Sequence, residues 1–534
     1  MMNQTLIALK KPSHMKLKLF LLLLLLNVNL FAQNGLGKFS VKWGPQLKGT
    51  NSGSISDLIG MDDDFYYFGA RLKNDLTIEK LDKNLDNPVN FIFEEKNRET
   101  KERFSLFERV YFADRLYVFK TNIDKDTKTT TLLAEEVNKK TMTSVGSDKK
   151  IAAIQYEKRR EKGDFSIYTS ANDSYLMVIE EIPVEKDENE KFNVIMFDNA
   201  LNITWKKNIQ LPYQNTLFRT NRFMVDDNGN FYVLGILYRD KDSWVKKEVN
   251  YTHHIIVFND QGNSTIDYEV KLKDKFIADI TFRINKDGDI TCSGFYSNLG
   301  KGGINGAFFL TLDPISKQVK ASNFKEFDMD FMTEYMTEKE EKKAKKNEEK
   351  GKEMELGSYH LRSLIKRSDG GAILVAEQIY IYTYTYPCGN NMTCSATIYN
   401  YNDIIVVNID AEGKIEWSKK VPKRQRSKND GGSYSSFALM VTDDFIGFIY
   451  NDHRDNLEIE TTRNLKNFNL GDRNGIVTIA RINNQGKLTR ETLFDNKEVE
   501  VVIQPRVCEQ VDDNNLMIFG QKRKYDQFGI VSFN

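Results

Sequence analysis

Phe223-Met-Val-Asp-Asp-Asn-Gly-Asn-Phe-Tyr-Val-Leu234 places two apolar runs on either side of a turn made of Asp, Asn and Gly. Asp and Asn side chains bond the local backbone and Gly tolerates positive φ, so the stretch reads as a β-hairpin. Phe282-Arg-Ile-Asn-Lys-Asp-Gly-Asp-Ile-Thr-Cys292 repeats the pattern, and turns of this kind recur at Asp63, Asp114, Asp173, Asp227, Asp287, Asp369, Asp443 and Asp513. A second hairpin follows each, as in Ile255-Ile-Val-Phe-Asn-Asp-Gln-Gly262, Ile404-Ile-Val-Val-Asn-Ile-Asp-Ala-Glu-Gly413 and Ile476-Val-Thr-Ile-Ala-Arg-Ile-Asn-Asn-Gln-Gly486. Each unit therefore holds four strands, and radial repetition of such sheets makes a β-propeller.

The chain ends carry the next step. After Asp513 there is room for two more strands, 516–520 and 529–533, but not for a last one. Lys38-Phe-Ser-Val-Lys-Trp43 supplies it, because it matches Leu201-Asn-Ile-Thr-Trp205 and Gly413-Lys-Ile-Glu-Trp417, each read as a fourth strand ending in Trp. The expected fold is all-β, an eight-bladed propeller of four-stranded blades closed by an N-terminal strand. It forms one domain over 34–534 with a charged insertion at 331–357. Closure would remove the last open sheet edge.

Asn408-Ile409-Asp410 followed by Gly413-Lys414-Ile415-Glu416-Trp417 resembles the repeat of quinoprotein-type propellers, with partial matches at Trp205 and Trp43. That resemblance implies architecture. Quinoprotein dehydrogenases also imply a quinone over a vicinal disulfide and a calcium ion, but this chain has no adjacent Cys pair, so no cofactor is expected.

Lys plus Arg and Asp plus Glu both total 76, so no long-range field gathers nucleic acid or an anionic membrane. Lys16 and Lys18 precede a Leu-rich core and Phe31-Ala32-Gln33, which reads as a secretion signal over 1–33 with its start at Met15. The Phe-Ala-Gln ending resembles export signals of Bacteroidetes. The apolar core is too short for a stable span, so the protein is expected to be exported, periplasmic or extracellular, and not integral to a membrane.

Among the four cysteines, Cys388 and Cys394 are placed to close a small loop disulfide, while Cys292 and Cys508 lie in apolar strand patterns. In a propeller the loops joining second to third strands, and fourth to first, emerge on one face. The long segments 181–191, 239–251, 380–402, 451–472 and 331–357 all fall there. Tyr380, Tyr382, Tyr384 and Tyr386 stand at alternate positions, on one side of an extended strand. With Tyr399 and Tyr401, and stapled by Cys388–Cys394, they form the candidate binding loop for a protein or cell-envelope partner. Segment 333–355, rich in Glu and Lys, reads as a solvated arm, with a docking helix as the alternative.

No zinc-binding His motif, GxSxG elbow or phosphate-binding loop occurs, and hairpin turns account for the Asp-Asn-Gly stretches better than calcium loops do. No metal and no catalytic residue is assigned. The expected function is a non-catalytic exported scaffold that binds its partner through the loop-rich face. The alternative is a glycan-acting hydrolase or lyase with its site in the central channel.

Overall fold

The computed structural model describes residues 39–533 apart from 49–54, 73–74, 97–99, 159–160, 241–249, 286–287, 301, 314, 335–337, 351–353, 368, 390–391, 460–463, 472 and 523–524. The stretch 1–33 expected to be a secretion signal, Asp287 and part of the 239–251 loop thus lie outside the described residues. The chain folds as antiparallel sheets in sequence order, which we number by residue range: 55–92 (sheet 1), 104–155 (sheet 2), 164–214 (sheet 3), 218–270 (sheet 4), 276–326 (sheet 5), 359–428 (sheet 6), 438–495 (sheet 7) and 502–533 (sheet 8). Strand Phe39–Lys48 joins sheet 8, with Phe39 opposite Phe533 and Trp43 opposite Gly529. The seven described turn aspartates each lie between the first and second strands of a sheet.

The core is divided among the sheet interfaces. Each apolar cluster draws buried residues from two successive sheets: Tyr67 and Ile78 meet Leu116 and Val118, and Val375 and Ile404 meet Phe448 and Tyr450. One further cluster sets Phe68 and Leu81 of sheet 1 against Phe519 and Phe528 of sheet 8, with Phe68 and Phe528 ring centroids 4.6 Å apart. The molecule is a β-propeller in which the first strands of neighbouring sheets also touch, as Ile55–Met61 touches Phe104–Phe112 and Phe276–Ile284 touches Tyr359–Lys366.

A recurring irregularity explains a recurring glycine. The first strands of sheets 4 and 5 shift register at Thr220/Arg222, opposite Gly235, and at Ile277/Asp279, one pair before Gly294, which faces Ile280. A Cβ at Gly235 would lie 2.1 Å from the Phe218 ring, and one at Gly294 would lie 2.1 Å from the Asp279 carbonyl. Only glycine lets the bulged strand approach so closely.

Two expectations about local structure change. Trp205 and Trp417 open their strands, Ile203–Gln214 and Ile415–Val421, rather than end them. There they reach the next sheet: Trp417 Nε1 donates to the Asn484 carbonyl, and Gly486 fits beneath the indole. The charged insertion is not a bare arm. It forms α1 (Met329–Thr333), capped by Asp328, and α2 (Glu338–Glu348), with Ala344 buried and Glu341 paired to Lys345 at 3.0 Å. No described helix is long and apolar enough to cross a membrane.

Candidate active site

Sheet 6 brings together several charged groups that burial perturbs. Its second strand, Ala372–Pro387, begins with buried Ala372, Leu374, Val375 and Ala376, and then places Glu377 in the same sealed layer. Its third strand, Thr393–Ile409, pairs Ile404 with Glu377 and Tyr401 with Ile379. Two residues, Asn402 and Asp403, therefore stand against Gln378 alone. Such a bulge re-aims side chains, and here Asp403 is turned into a cavity of about 500 Å³.

The cavity floor comes from Tyr359, Gln378, Asn402, Asp403, Lys420 and Lys423, and its roof from α2 and the segment leading to Leu356. Its walls thus belong to sheet 6, the helical insertion and Leu465 of the sheet 7 loop. The roof is anchored: Gly303 and Ile304 pair with Gly357 and Leu356, and the Glu355 carboxylate accepts from Ser297 Oγ at 2.5 Å.

Tyr359 donates its hydroxyl hydrogen to Asp403 Oδ2. Burial pushes the Asp403 carboxyl above the usual carboxylate range, partly opposed by the nearby Lys420 and by this hydrogen bond. Burial also lowers the Lys420 ammonium to about 8, with Asp403 and Glu334 pulling the other way. Lys420 Nζ donates to the Phe331 carbonyl of α1 and lies 4.6 Å from the centre of that ring. The site therefore holds a carboxyl biased toward its protonated form beside an amine biased toward its free base. Environments that push two groups this way allow acid and base to coexist near neutral pH.

At the back of this floor, Lys423 pairs with Glu377, both side chains fully buried, Nζ to Oε1 2.8 Å. Lys423 also donates to the Tyr401 carbonyl and Gln425 Oε1, each at 3.0 Å, so its three N–H groups are satisfied. Glu377 Oε2 accepts from Ser436 Oγ at 2.7 Å. Pro422 ends the fourth strand and lets Lys423 turn back under the sheet.

The tyrosines divide. Tyr380, Tyr382 and Tyr384 are exposed, Tyr386 is half-buried beneath Lys428, and the rings of Tyr382, Tyr384 and Tyr386 follow one another at 6.5 and 5.8 Å. Their cross-strand partners are Asn400, Ile398, Ala396 and Cys394. Tyr399 and Tyr401 pair with Ile381 and Ile379, so they lie on the other face, where Tyr401 is buried against Arg506. The structure does not bring all six together. The Cys388–Cys394 disulfide is formed, and Cys292 and Cys508 are buried free thiols.

A second constellation lies in sheet 4. His254 and Thr252 share a side of strand Tyr251–Asn259: His254 Nε2 is 3.0 Å from Thr252 Oγ1, and its Nδ1 is 2.9 Å from Asp267 Oδ1. Tyr213 donates to Asp267, and these bonds hold the Asp267 carboxyl below its ordinary range although burial opposes them. An Nδ1–H donated to Asp267 leaves Nε2 to accept from the threonine hydroxyl. His253, on the opposite side, is held down to about 4 by burial and by His254.

No protein-family model matches the chain, and no curated protein matches it. Among solved structures it is similar to a prolyl endopeptidase, at 9% identity and TM-score 0.41 over 89% of this chain and 55% of that one. It is similar also to prolyl oligopeptidase B from Galerina marginata, at 9% identity and TM-score 0.35 over 90% and 55%. A third is the Synechocystis apocarotenoid oxygenase, at 8% identity and TM-score 0.32 over 91% and 87%. The chain spans about half the length of the prolyl oligopeptidases it overlays, and at these scores the overlays assign neither substrate nor residue to it. The expectation of a non-catalytic scaffold is nevertheless corrected. An acid–base cluster lines a cavity where the sequence assigned no catalytic residue.

Proposed function

We propose that this chain is an exported enzyme that cleaves an acidic glycan by elimination, with its site at the sheet 6 cavity of an eight-bladed, strand-closed propeller. The single observation that carries this reading is Lys420, an amine lowered to about 8 by burial, in one cavity with the buried Asp403–Tyr359 pair. A general base works best when its pKa lies near the operating pH. Lys420 as the neutral amine takes the proton from the carbon next to a uronate carboxylate, the C–H electrons form the carbon–carbon double bond, and the glycosidic C–O bond breaks. Protonated Asp403, oriented by Tyr359, gives its proton to the departing oxygen. Lys343 and Arg424 at the cavity wall suit a carboxylate-bearing substrate.

The test is an assay on polygalacturonate and alginate that follows unsaturated ends separately from new reducing ends. Lys420→Met and Asp403→Asn each lower kcat by 10²-fold or more, the range for loss of a general base or acid, and wild-type activity rises with pH through about 8. Unaltered turnover in both variants overturns the reading. Reducing ends without unsaturated ends turn it into hydrolysis.

The Thr252–His254–Asp267 alignment favours a second reading, acyl transfer through the Thr252 hydroxyl. It requires covalent labelling by a fluorophosphonate probe that disappears in Thr252→Ala. Absence of labelling in the wild type removes it.

A further inference from the structure

Gln378 and Tyr380 to Tyr386 belong to one strand, and Gln378 at its base lines the cavity. The exposed tyrosines climb from the cavity rim at alternate positions, so about 6.6 Å of strand separates one from the next. Their backing is rigid. Asn400, Ile398 and Ala396, their cross-strand partners on the same face, are buried beside them, strand Gln425–Lys428 pairs with the far side of the hairpin, and Cys388–Cys394 closes its tip. The ladder is thus continuous with the site floor through Gln378, whose Oε1 accepts from Asn402 Nδ2 at 3.0 Å.

We infer that the ladder Tyr380, Tyr382, Tyr384 and Tyr386 is a track on which successive pyranose rings of a polymeric acidic glycan stack as the chain enters the cavity. Pyranose rings offer axial C–H faces that pack on aromatic rings, and tyrosine provides such a surface at little entropic cost. Three features fit an extended polymer rather than a compact ligand: the repeat of rings, the length of the row, and its opening into a cavity that holds only a few sugar units. Lys428, 5.3 Å from the Tyr386 ring centre, sets a positive charge at the outer end, as a carboxylated chain requires. The inference rests on the proposed acidic-glycan reading but concerns binding, so the two fail separately.

The experiment is affinity electrophoresis of the mature chain in gels containing polygalacturonate, alginate or neutral dextran, with Tyr382→Ala/Tyr384→Ala and Lys420→Met run beside the wild type. The acidic gels retard the wild type and Lys420→Met equally, dextran does not, and the double tyrosine variant binds about tenfold more weakly, the effect of losing about 1.4 kcal/mol. Unchanged thermal unfolding of the double variant is expected from its exposed positions. Equal retardation of wild type and double variant, or no retardation in either acidic gel, overturns the track and leaves the acid–base reading standing. Retardation that depends on the tyrosines, with no cleavage of any polymer, supports the track while the elimination reading falls.

Discussion

Sheets 3 and 6 place a glutamate at the same point of the second strand, Glu180 in Tyr175–Glu181 and Glu377 in Ala372–Pro387, and both carboxylates are buried. Their partners differ. Glu180 is met by Lys206, whose side chain keeps 47% of its surface exposed, at 3.1 Å. Asn193 and the Ala153 backbone N–H complete its bonds. Glu377 is met at 2.8 Å by Lys423, whose side chain is fully buried, and at 3.7 Å by Nε of the partly exposed Arg362. The first arrangement lets water share the charge, whereas the second seals two charges beneath a cavity. A sealed pair is rarely the most stabilising way to fill such a volume, because removing both ions from water costs about as much as their attraction returns. What it supplies is a fixed, fully bonded floor beneath Asp403 and Lys420.

The strongest test of that difference is Lys423→Met. It leaves Glu377 with only the longer Arg362 contact, and loss of one partner of a buried pair costs about 3–5 kcal/mol. Urea unfolding should show that loss, and Glu377→Leu/Lys423→Met should recover most of it because no charge remains uncompensated. A single-variant loss below about 1 kcal/mol would mean that water reaches the pair and that sheets 3 and 6 are alike.

Next in size is a pH effect. His253 falls to about 4 in the fold from an ordinary 6.5, so the unfolded chain binds more protons between those values. Stability is then complete above about 6.5 and falls as pH drops toward 4, by about 3 kcal/mol in all. His253→Phe should flatten this part of the profile. Lys420 acts at the other end: its folded value of about 8 lies below the ordinary 10.5, so stability should rise from pH 8 toward 10.5 and Lys420→Met should remove the rise. These slopes belong to the tightly packed parts of sheets 4 and 6.

How far the sequence could be read follows from the range of the signals. Hairpins such as Phe223 to Leu234 are encoded locally by turn residues and alternation, so the four-stranded units and the joining of Phe39–Lys48 to sheet 8 were legible. The Tyr380 to Tyr386 row was legible for the same reason. That Tyr399 and Tyr401 face away from the row was not legible, because the facing of the returning strand depends on hairpin register, which includes the bulge at Asn402 and Asp403. The acid–base cluster had no local signature: Tyr359, Asp403 and Lys420 lie on three strands and become neighbours only through the sheet. A lone Asp before Ile404-Ile-Val-Val was the one available hint, an acid opening a run destined for the core.

The smallest expected effect is the most exacting. Lys206→Met removes the cation facing Glu180, just as Lys423→Met removes the cation facing Glu377, and the chemical change is identical. Glu180 keeps the Asn193 amide and the Ala153 N–H, and the space vacated by Lys206 opens to solvent, so its carboxylate is hydrated rather than stranded. Exposed pairs contribute about 0–1 kcal/mol, and added salt should shrink even that. A loss below about 1 kcal/mol in denaturant unfolding, set against several for Lys423→Met, would establish that access of water and not the presence of an ion pair separates the two sheets. Equal losses would place both glutamates in the same environment, and the floor of the sheet 6 cavity would then be ordinary propeller packing.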